Sequence, residues 1–163
     1  MASSRSPRIP FLIALGVLLL TAACGDDSSS PTAAAGAENI TCDAPAVAIG
    51  LGMAVESALE ATSDPYPATA TYYCVGVPPG TDRVTIDLTG LSADLDLYVG
   101  LGSIESVQGF QSEAGETYDW LSNQFGTADE HVEITDPEAG VYYIEVVSYA
   151  GEASAFTLRA AAG

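Results

Sequence analysis

The sequence predicts an all-β protein, an antiparallel β-sandwich of about eight short strands. Three observations predict this fold. From residue 49 onward, short runs rich in β-branched and aromatic residues alternate with turn residues. The clearest runs alternate apolar and polar residues, which places the apolar side chains on one face of a strand. One run, residues 140–148, is apolar on both faces, as is typical of a central strand covered on both sides.

The run 83–89 shows the alternation most clearly. Val84, Ile86 and Leu88 share one face, and polar residues share the other. The turn formed by residues 78–80, Pro-Pro-Gly, precedes the run, and Gly90 ends it. The complete set of predicted strands covers residues 52–59, 71–77, 83–89, 94–99, 118–121, 131–134, 140–148 and 155–160. Good helix formers within residues 52–61 leave a helix open as the alternative there.

The run 94–99 bears most directly on function. Its apolar residues are expected to point inward, and Asp94, Asp96 and Tyr98 are expected to point outward. Asp129 and Glu130 lie in a loop that leads into a later strand. Because Ca²⁺ binds six to eight oxygen ligands, these four carboxylates predict a calcium site if the two regions are neighbours. The alternative is a solvated acidic face.

The first 23 residues predict a signal peptide. Arg5 and Arg8 precede the apolar run 11–20, which is too short to span a bilayer. Residues 20–24, Leu-Thr-Ala-Ala-Cys, resemble the lipobox of bacterial lipoproteins and predict lipidation of Cys24. An ordinary cleaved signal is the alternative. Residues 24–41 are expected to form a flexible tether, and residues 42–163 the domain.

The chain has three cysteines, an odd number for an oxidising compartment. Lipidation of Cys24 leaves Cys42 and Cys74, for which export favours a disulfide. Two buried free thiols are the alternative. A metal site built from these cysteines is not expected, because their spacing is wide and the single histidine, His131, is distant in the sequence.

The charge of the chain is one-sided, with 22 acidic and four basic residues. Only Arg83 and Arg159 remain once the signal peptide is removed. Such a surface repels phosphate backbones, so no nucleic-acid binding is expected. It favours cations or a basic partner, although solubility alone also accounts for it.

Catalysis is not expected. No Gly-x-Ser-x-Gly sequence occurs, and His131 falls on the outward side of a predicted strand between acidic neighbours. Aromatic residues instead predict a flat binding platform for a glycan or a peptide. Its candidate binding residues are Tyr98, Trp120 and Tyr143, and Tyr118 and Tyr149 are further aromatic residues near turns. Core filling by these side chains is the alternative.

Several motifs in order resemble one family. Residues 92–99, Ser-Ala-Asp-Leu-Asp-Leu-Tyr-Val, resemble the Asp-x-Asp-Leu-Tyr-Val hallmark of the bacterial pre-peptidase C-terminal domain. Residues 128–134, 137–144 and 154–158 resemble its later elements, so the resemblance covers about residues 48–162. It implies a jelly-roll β-sandwich of the kind attached to secreted peptidases. Some relatives bind collagen, polysaccharide or calcium.

The expected function is a non-catalytic, lipid-anchored binding or accessory module on the periplasmic or cell-surface side. Its expected partners are the membrane, through the lipid anchor, and a glycan, a matrix protein or an envelope protein. The alternative is a regulatory or chaperone-like subunit that acts in trans on a secreted hydrolase. An inert structural envelope protein is a third reading.

Overall fold

A computed structural model of the chain describes residues 40–63, 69–108, 115 and 117–163. The predicted signal peptide, Cys24 and the tether up to residue 39 lie outside these residues. No helix within the described ranges is long and apolar enough to cross a membrane. The strands of the described residues are β1 (Val47–Ala48), β2 (Ala54–Leu59), β3 (Ala70–Val77), β4 (Arg83–Thr89), β5 (Leu95–Leu101), β6 (Trp120–Ser122), β7 (Glu130–Thr135), β8 (Gly140–Ser148) and β9 (Ser154–Ala162).

The strands form two sheets. One has five strands in the order β1-β3-β8-β5-β6, and the other has four in the order β2-β9-β4-β7. Every pairing is antiparallel except that of β1 with β3. The predicted antiparallel β-sandwich is confirmed. The apolar run 140–148 is strand β8, and it is the middle strand of its sheet, as its double-sided apolar pattern predicts.

Residues 54–59 are a strand, not the alternative helix. Strand β2 pairs with β9 along its whole length, so backbone hydrogen bonds to a neighbouring strand outweigh the helix propensity of Ala and Glu. Strand β1 was not predicted, and neither was the short 3-10 turn Ile104–Ser106. Both are too short to carry a periodic pattern.

The main hydrophobic core lies between the sheets. Strand β5 contributes Leu95, Leu97 and Val99, which are fully buried and point inward as predicted. The alternating residues of β4, Val84, Ile86 and Leu88, face them from the other sheet and also have no exposed area. Period-two patterning therefore predicts this core correctly, because each strand presents one face to the opposite sheet.

A second, smaller core covers the outer face of the five-stranded sheet. Its buried members are Cys74, Tyr98, Val107, Tyr143 and Val147. Partly buried residues from outside the sheet pack on them, and these include Ile40, Cys42, Ala46 and Ile104. The chain before β1 and the turn after β5 thus form a partial third layer.

Two glycines permit this third layer to approach the sheet. A Cβ atom at Gly100 in β5 would overlap the backbone oxygen of Ser106, in the 3-10 turn. A Cβ atom at Gly76 in β3 would lie 2.6 Å from Cγ2 of Ile40. Both glycines therefore act by lacking a side chain where another segment crosses the strand.

Candidate binding pockets

Asp94, just before β5, and Asp96, within it, lie at a pocket that we call the Asp96 pocket. Strand β6 ends at Ser122, opposite Leu97, so none of the described strands pairs with β5 on that side at Asp96. The chain turns away there and leaves a cavity of about 240 Å³. The residues that line it are Asp94, Asp96, Asn123, Gln124, Phe125 and Tyr149.

Asp96 lies on the outer side of its strand, as predicted, but it is not solvated. It is only 7% exposed. Within the described residues its carboxylate forms no hydrogen bond and no ion pair. Burial raises the pKa of Asp96 to about 6, and the nearby charges of Asp94 and Glu130 add to the effect. The alternative of a solvated acidic face therefore does not hold at Asp96.

Glu130 acts electrostatically on Asp96 and is fully buried at 1% exposure. Its Oε1 accepts a hydrogen bond from the backbone nitrogen of Gln124 at 2.7 Å, and its Oε2 accepts one from Ser122 Oγ. Burial is the largest influence on Glu130 and raises its pKa, while these two bonds oppose the rise. Glu130 thus fastens the turn after β6 to the start of β7.

The structure brings the four predicted calcium ligands within electrostatic reach of one another. Asp94 and Glu130 act on Asp96, and Asp94 and Asp129 act on Glu130. Asp129 Oδ1 also accepts a hydrogen bond from the backbone nitrogen of Gly90 at 3.3 Å. No group of three or more His, Cys, Asp or Glu side chains in the described ranges is arranged to hold a metal ion. The geometry gives the calcium site no support, and the site stays a prediction.

The three predicted platform aromatics do not share a surface. Tyr98 and Tyr143 are 4% and 2% exposed and belong to the second core, so the core-filling alternative holds for both. Trp120 lies on the other side of the sheet, where its ring is 5.7 Å from that of Tyr142. The prediction of an exposed aromatic platform is wrong, because period-two patterning identifies the outer face of a strand but not what covers that face.

Trp120 borders a different cavity, at the opposite end of the sandwich. This cavity has a volume of about 470 Å³. Its other lining residues are Leu101, Asp119, Ile134, Thr135, Asp136, Pro137, Glu138 and Tyr142. Asp119 Oδ2 accepts a bond from the backbone nitrogen of Leu101 at 2.8 Å, and Tyr142 donates its hydroxyl to the carbonyl of Glu138 at 3.0 Å. Two of its polar side chains are therefore already used to hold the end of the sandwich together.

Cys42 and Cys74 form a disulfide, the pairing that the sequence predicts. Their Cα atoms are 6.2 Å apart, and the bond joins the segment before β1 to the outer face of β3. Cys74 is completely buried. The disulfide indicates an oxidising, extracytoplasmic location.

His131 lies on the outer face of the four-stranded sheet, as predicted. Its Nδ1 is 2.6 Å from Oδ1 of Asp87 on the neighbouring strand, and the imidazole is half-exposed. The pair lies outside both cavities described above. We assign it no chemical role.

Sequence reasoning named Tyr149 only as a platform aromatic near a turn, and it missed Phe125 as a binding residue of the Asp96 pocket. Phe125 is 95% exposed and Tyr149 is 57% exposed. Both follow the end of a strand in polar turn segments, where no periodic pattern assigns them to a core. An aromatic residue within a polar turn was the available signal, because large apolar side chains are seldom left so exposed without a role.

Comparison with known proteins agrees with this description. The family model for the bacterial pre-peptidase C-terminal domain matches residues 69–148. This segment of the chain is a bacterial pre-peptidase C-terminal domain. The match is shorter than the stretch 48–162 over which the motifs resemble the family. Strands β3 to β8 lie within it, and the Asp96 pocket falls within it except for Tyr149.

One solved structure shows the same fold. The pre-peptidase C-terminal domain of collagenase from Bacillus anthracis has a TM-score of 0.50 and 17% identity, and the likeness covers 76% of this chain and 99% of that one. A periplasmic inhibitor of g-type lysozyme from Aeromonas hydrophila has a TM-score of 0.48 and 11% identity, over 72% of this chain and 96% of that one. No curated protein matches the sequence.

Proposed function

We propose that the chain is a non-catalytic, lipid-anchored binding or accessory module that works outside the cytoplasm. The observation that carries the binding role is the Asp96 pocket, where a buried carboxylate without a partner among the described residues lies beside exposed aromatic side chains. Buried polar groups are normally hydrogen-bonded, so one that faces a cavity suggests an absent ligand.

A protein partner is favoured over a glycan. Two of the three tyrosine and tryptophan side chains proposed to stack on a sugar are buried in the second core. The acidic surface, with only Arg83, His131 and Arg159 as basic side chains in the described ranges, suits a basic protein surface.

Capture of partners from the envelope at low salt tests this role. The lipidated full-length chain is used as bait, and a variant with Phe125→Ala serves as the matched control, because that side chain is too exposed to support the fold. Recovery of a secreted hydrolase would favour the alternative of a regulatory subunit acting in trans. Absence of any protein or glycan that depends on the bait would contradict the proposal.

The lipid anchor is proposed at Cys24, on the sequence evidence of residues 20–24. Cys24→Ser should move the protein from the detergent phase to the soluble fraction or leave the signal peptide uncleaved. Fractionation and intact mass measure both effects. Unchanged mass and unchanged partitioning would contradict the anchor, and Cys42→Ser controls for the loss of a cysteine as such.

Calcium binding by Asp94, Asp96, Asp129 and Glu130 is the competing proposal for this pocket, and only the sequence pattern supports it. For an extracellular site with a dissociation constant on the order of 10⁻⁴–10⁻³ M, a concentration of Ca²⁺ 100 times higher would stabilise the fold by about 2.7 kcal/mol. Thermal melting in CaCl₂ or EGTA, at fixed ionic strength, measures this. A rise in Tm that NaCl reproduces would reduce the effect to screening.

A further inference from the structure

The Asp96 pocket combines a buried carboxylate with a second acidic side chain beside it, and the two features seldom occur together without a ligand. The carboxylate of Asp96 is more than nine-tenths buried and has no hydrogen-bond donor among the described residues. It lines the cavity together with Asp94, which is half-buried. A buried anion needs a counter-charge or donors, because the loss of hydration is otherwise uncompensated.

The described part of the chain supplies no cation to this pocket. The basic side chains of the described ranges are Arg83, His131 and Arg159, and all three are exposed on strands of the four-stranded sheet. None of them lines the cavity. Asp94 and Asp96 belong to the outer side of the other sheet, so no described basic side chain neutralises them, and a cationic group of another molecule is the natural counter-charge.

The shape and lining of the pocket favour an organic cation over a metal ion. Ca²⁺ needs six to eight oxygens, whereas Glu130 already uses both carboxylate oxygens for Ser122 and Gln124. Phe125 and Tyr149, in contrast, place aromatic rings on the rim of the cavity. Aromatic faces attract cations, and a planar guanidinium can stack on a ring while it donates to carboxylates.

We infer that the Asp96 pocket binds an arginine side chain of a protein partner, held by the carboxylates of Asp94 and Asp96 and by the aromatic rings of Phe125 and Tyr149. The inference rests on the proposed binding function and names the chemistry that its partner must present. Lysine fits less well, because its ammonium group is a strongly hydrated point charge that cannot bind two carboxylates in a fork.

The experiment is an NMR titration of the full-length chain in detergent with Nα-acetyl-L-arginine methylamide. Saturable shifts of the backbone signals of Asn123, Gln124 and Phe125 are expected. The citrulline analogue, which has the same shape without the charge, should give no saturable shift. Equal shifts with both compounds would contradict the inference.

Variants locate the site. Asp96→Asn keeps the shape of the side chain and should weaken the arginine compound about ten-fold or more, and Phe125→Ala should weaken it about two- to five-fold. Asp87→Asn, on the other sheet, is the matched control and should leave the affinity unchanged. An unchanged affinity in Asp96→Asn would overturn the inference. So would displacement of the arginine compound by a lower concentration of CaCl₂ at the same ionic strength, which would make this a divalent-cation site.

The titration and the capture experiment can fail separately. If the envelope partner is retained equally by the wild type and by Asp96→Asn, the binding function stands and the arginine inference fails. If the arginine compound binds but no partner is captured, the pocket chemistry stands and the proposed function fails.

Discussion

The outer faces of the two sheets differ in what covers them. On the five-stranded sheet, residues 40–46 and the turn Ile104–Ser106 pack over Tyr98, Tyr143 and Val147, so both faces of the sheet are buried. On the four-stranded sheet, the outward residues of β7, His131 and Glu133, stay exposed and pair only with neighbours on the same face. The same alternating pattern therefore produces a second core in one sheet and an open surface in the other.

The covered face has to satisfy the polar groups that it buries. Glu145 in β8 is 1% exposed, and its Oε1 accepts a hydrogen bond from the hydroxyl of Tyr72 at 2.8 Å. Burial and the charge of Glu145 raise the pKa of Tyr72. The backbone N–H of Asp43 donates a hydrogen bond to the hydroxyl oxygen of Tyr143, with 2.9 Å between nitrogen and oxygen. At Asp96 the covering layer ends, and this carboxylate has no such donor in the part of the chain that the structure describes. The difference locates the candidate binding pocket at the border between covered and open surface.

The largest expected effect is the difference in stability loss between a substitution on the covered face and one on the open face. Tyr143→Ala removes a buried ring from the second core and should lower the free energy of unfolding by about 3–5 kcal/mol. His131→Ala removes a ring from the open face and should change it by less than about 1 kcal/mol. Urea unfolding followed by circular dichroism measures both. A loss for Tyr143→Ala as small as that expected for His131→Ala would mean that the second core contributes little to stability.

The disulfide should stabilise the folded protein, because it joins the covering layer to the sheet. It closes a loop with a sequence separation of 32 residues, for which the chain-entropy relation gives roughly 3–4 kcal/mol as an upper guide. Reduction should lower Tm by several degrees. A double variant, Cys42→Ala with Cys74→Ala, is the control, and its Tm should not respond to the reductant. Two thiols that alkylate freely in the unreduced native protein would contradict the disulfide.

The smallest expected effect concerns pH. The folded protein holds the proton of Asp96 with a pKa of about 6, against an ordinary value of 3.8, so it binds more protons than the unfolded chain between these values. Stability should therefore fall as pH rises from about 4 to about 6. Asp96→Asn should remove this contribution and stabilise the protein at pH 7.5 by roughly 1–2 kcal/mol, a figure reduced because the pocket opens to solvent.

The control for the pH experiment is Asp87→Asn on the open face, which should change stability by less than about 1 kcal/mol. Chemical unfolding at pH 4 and pH 7.5 is compared for the wild type and both variants. If Asp96→Asn destabilises the protein at pH 7.5, the carboxylate has a stabilising partner in the free protein, and the description of an uncompensated buried charge is wrong.

Local patterns in the sequence were sufficient for the fold class, the main core and the disulfide pairing. Val84, Ile86 and Leu88 alternate with polar residues, and an alternation of this kind can bury only one face of a strand. The apolar run of β8 predicted a strand covered on both sides, and the motifs around residues 92–99 and 137–144 pointed to the family that matches residues 69–148. Each of these inferences depends on neighbours in the sequence or on a small number of cysteines.

Only the tertiary structure decided which outward residues are exposed. Tyr98 and Asp96 have the pattern of surface residues, and whether they meet solvent depends on segments that cross their strand from elsewhere in the chain. Gly76 and Gly100 permit that crossing, but a glycine within a strand does not reveal which segment will pack on it. The pocket has the same origin, because Phe125 and Tyr149 meet Asp96 only where β6 ends early and β8 runs past it. Whether an outward face is buried depends on packing between segments that are distant in the sequence. The alternating pattern of a single strand therefore cannot predict it.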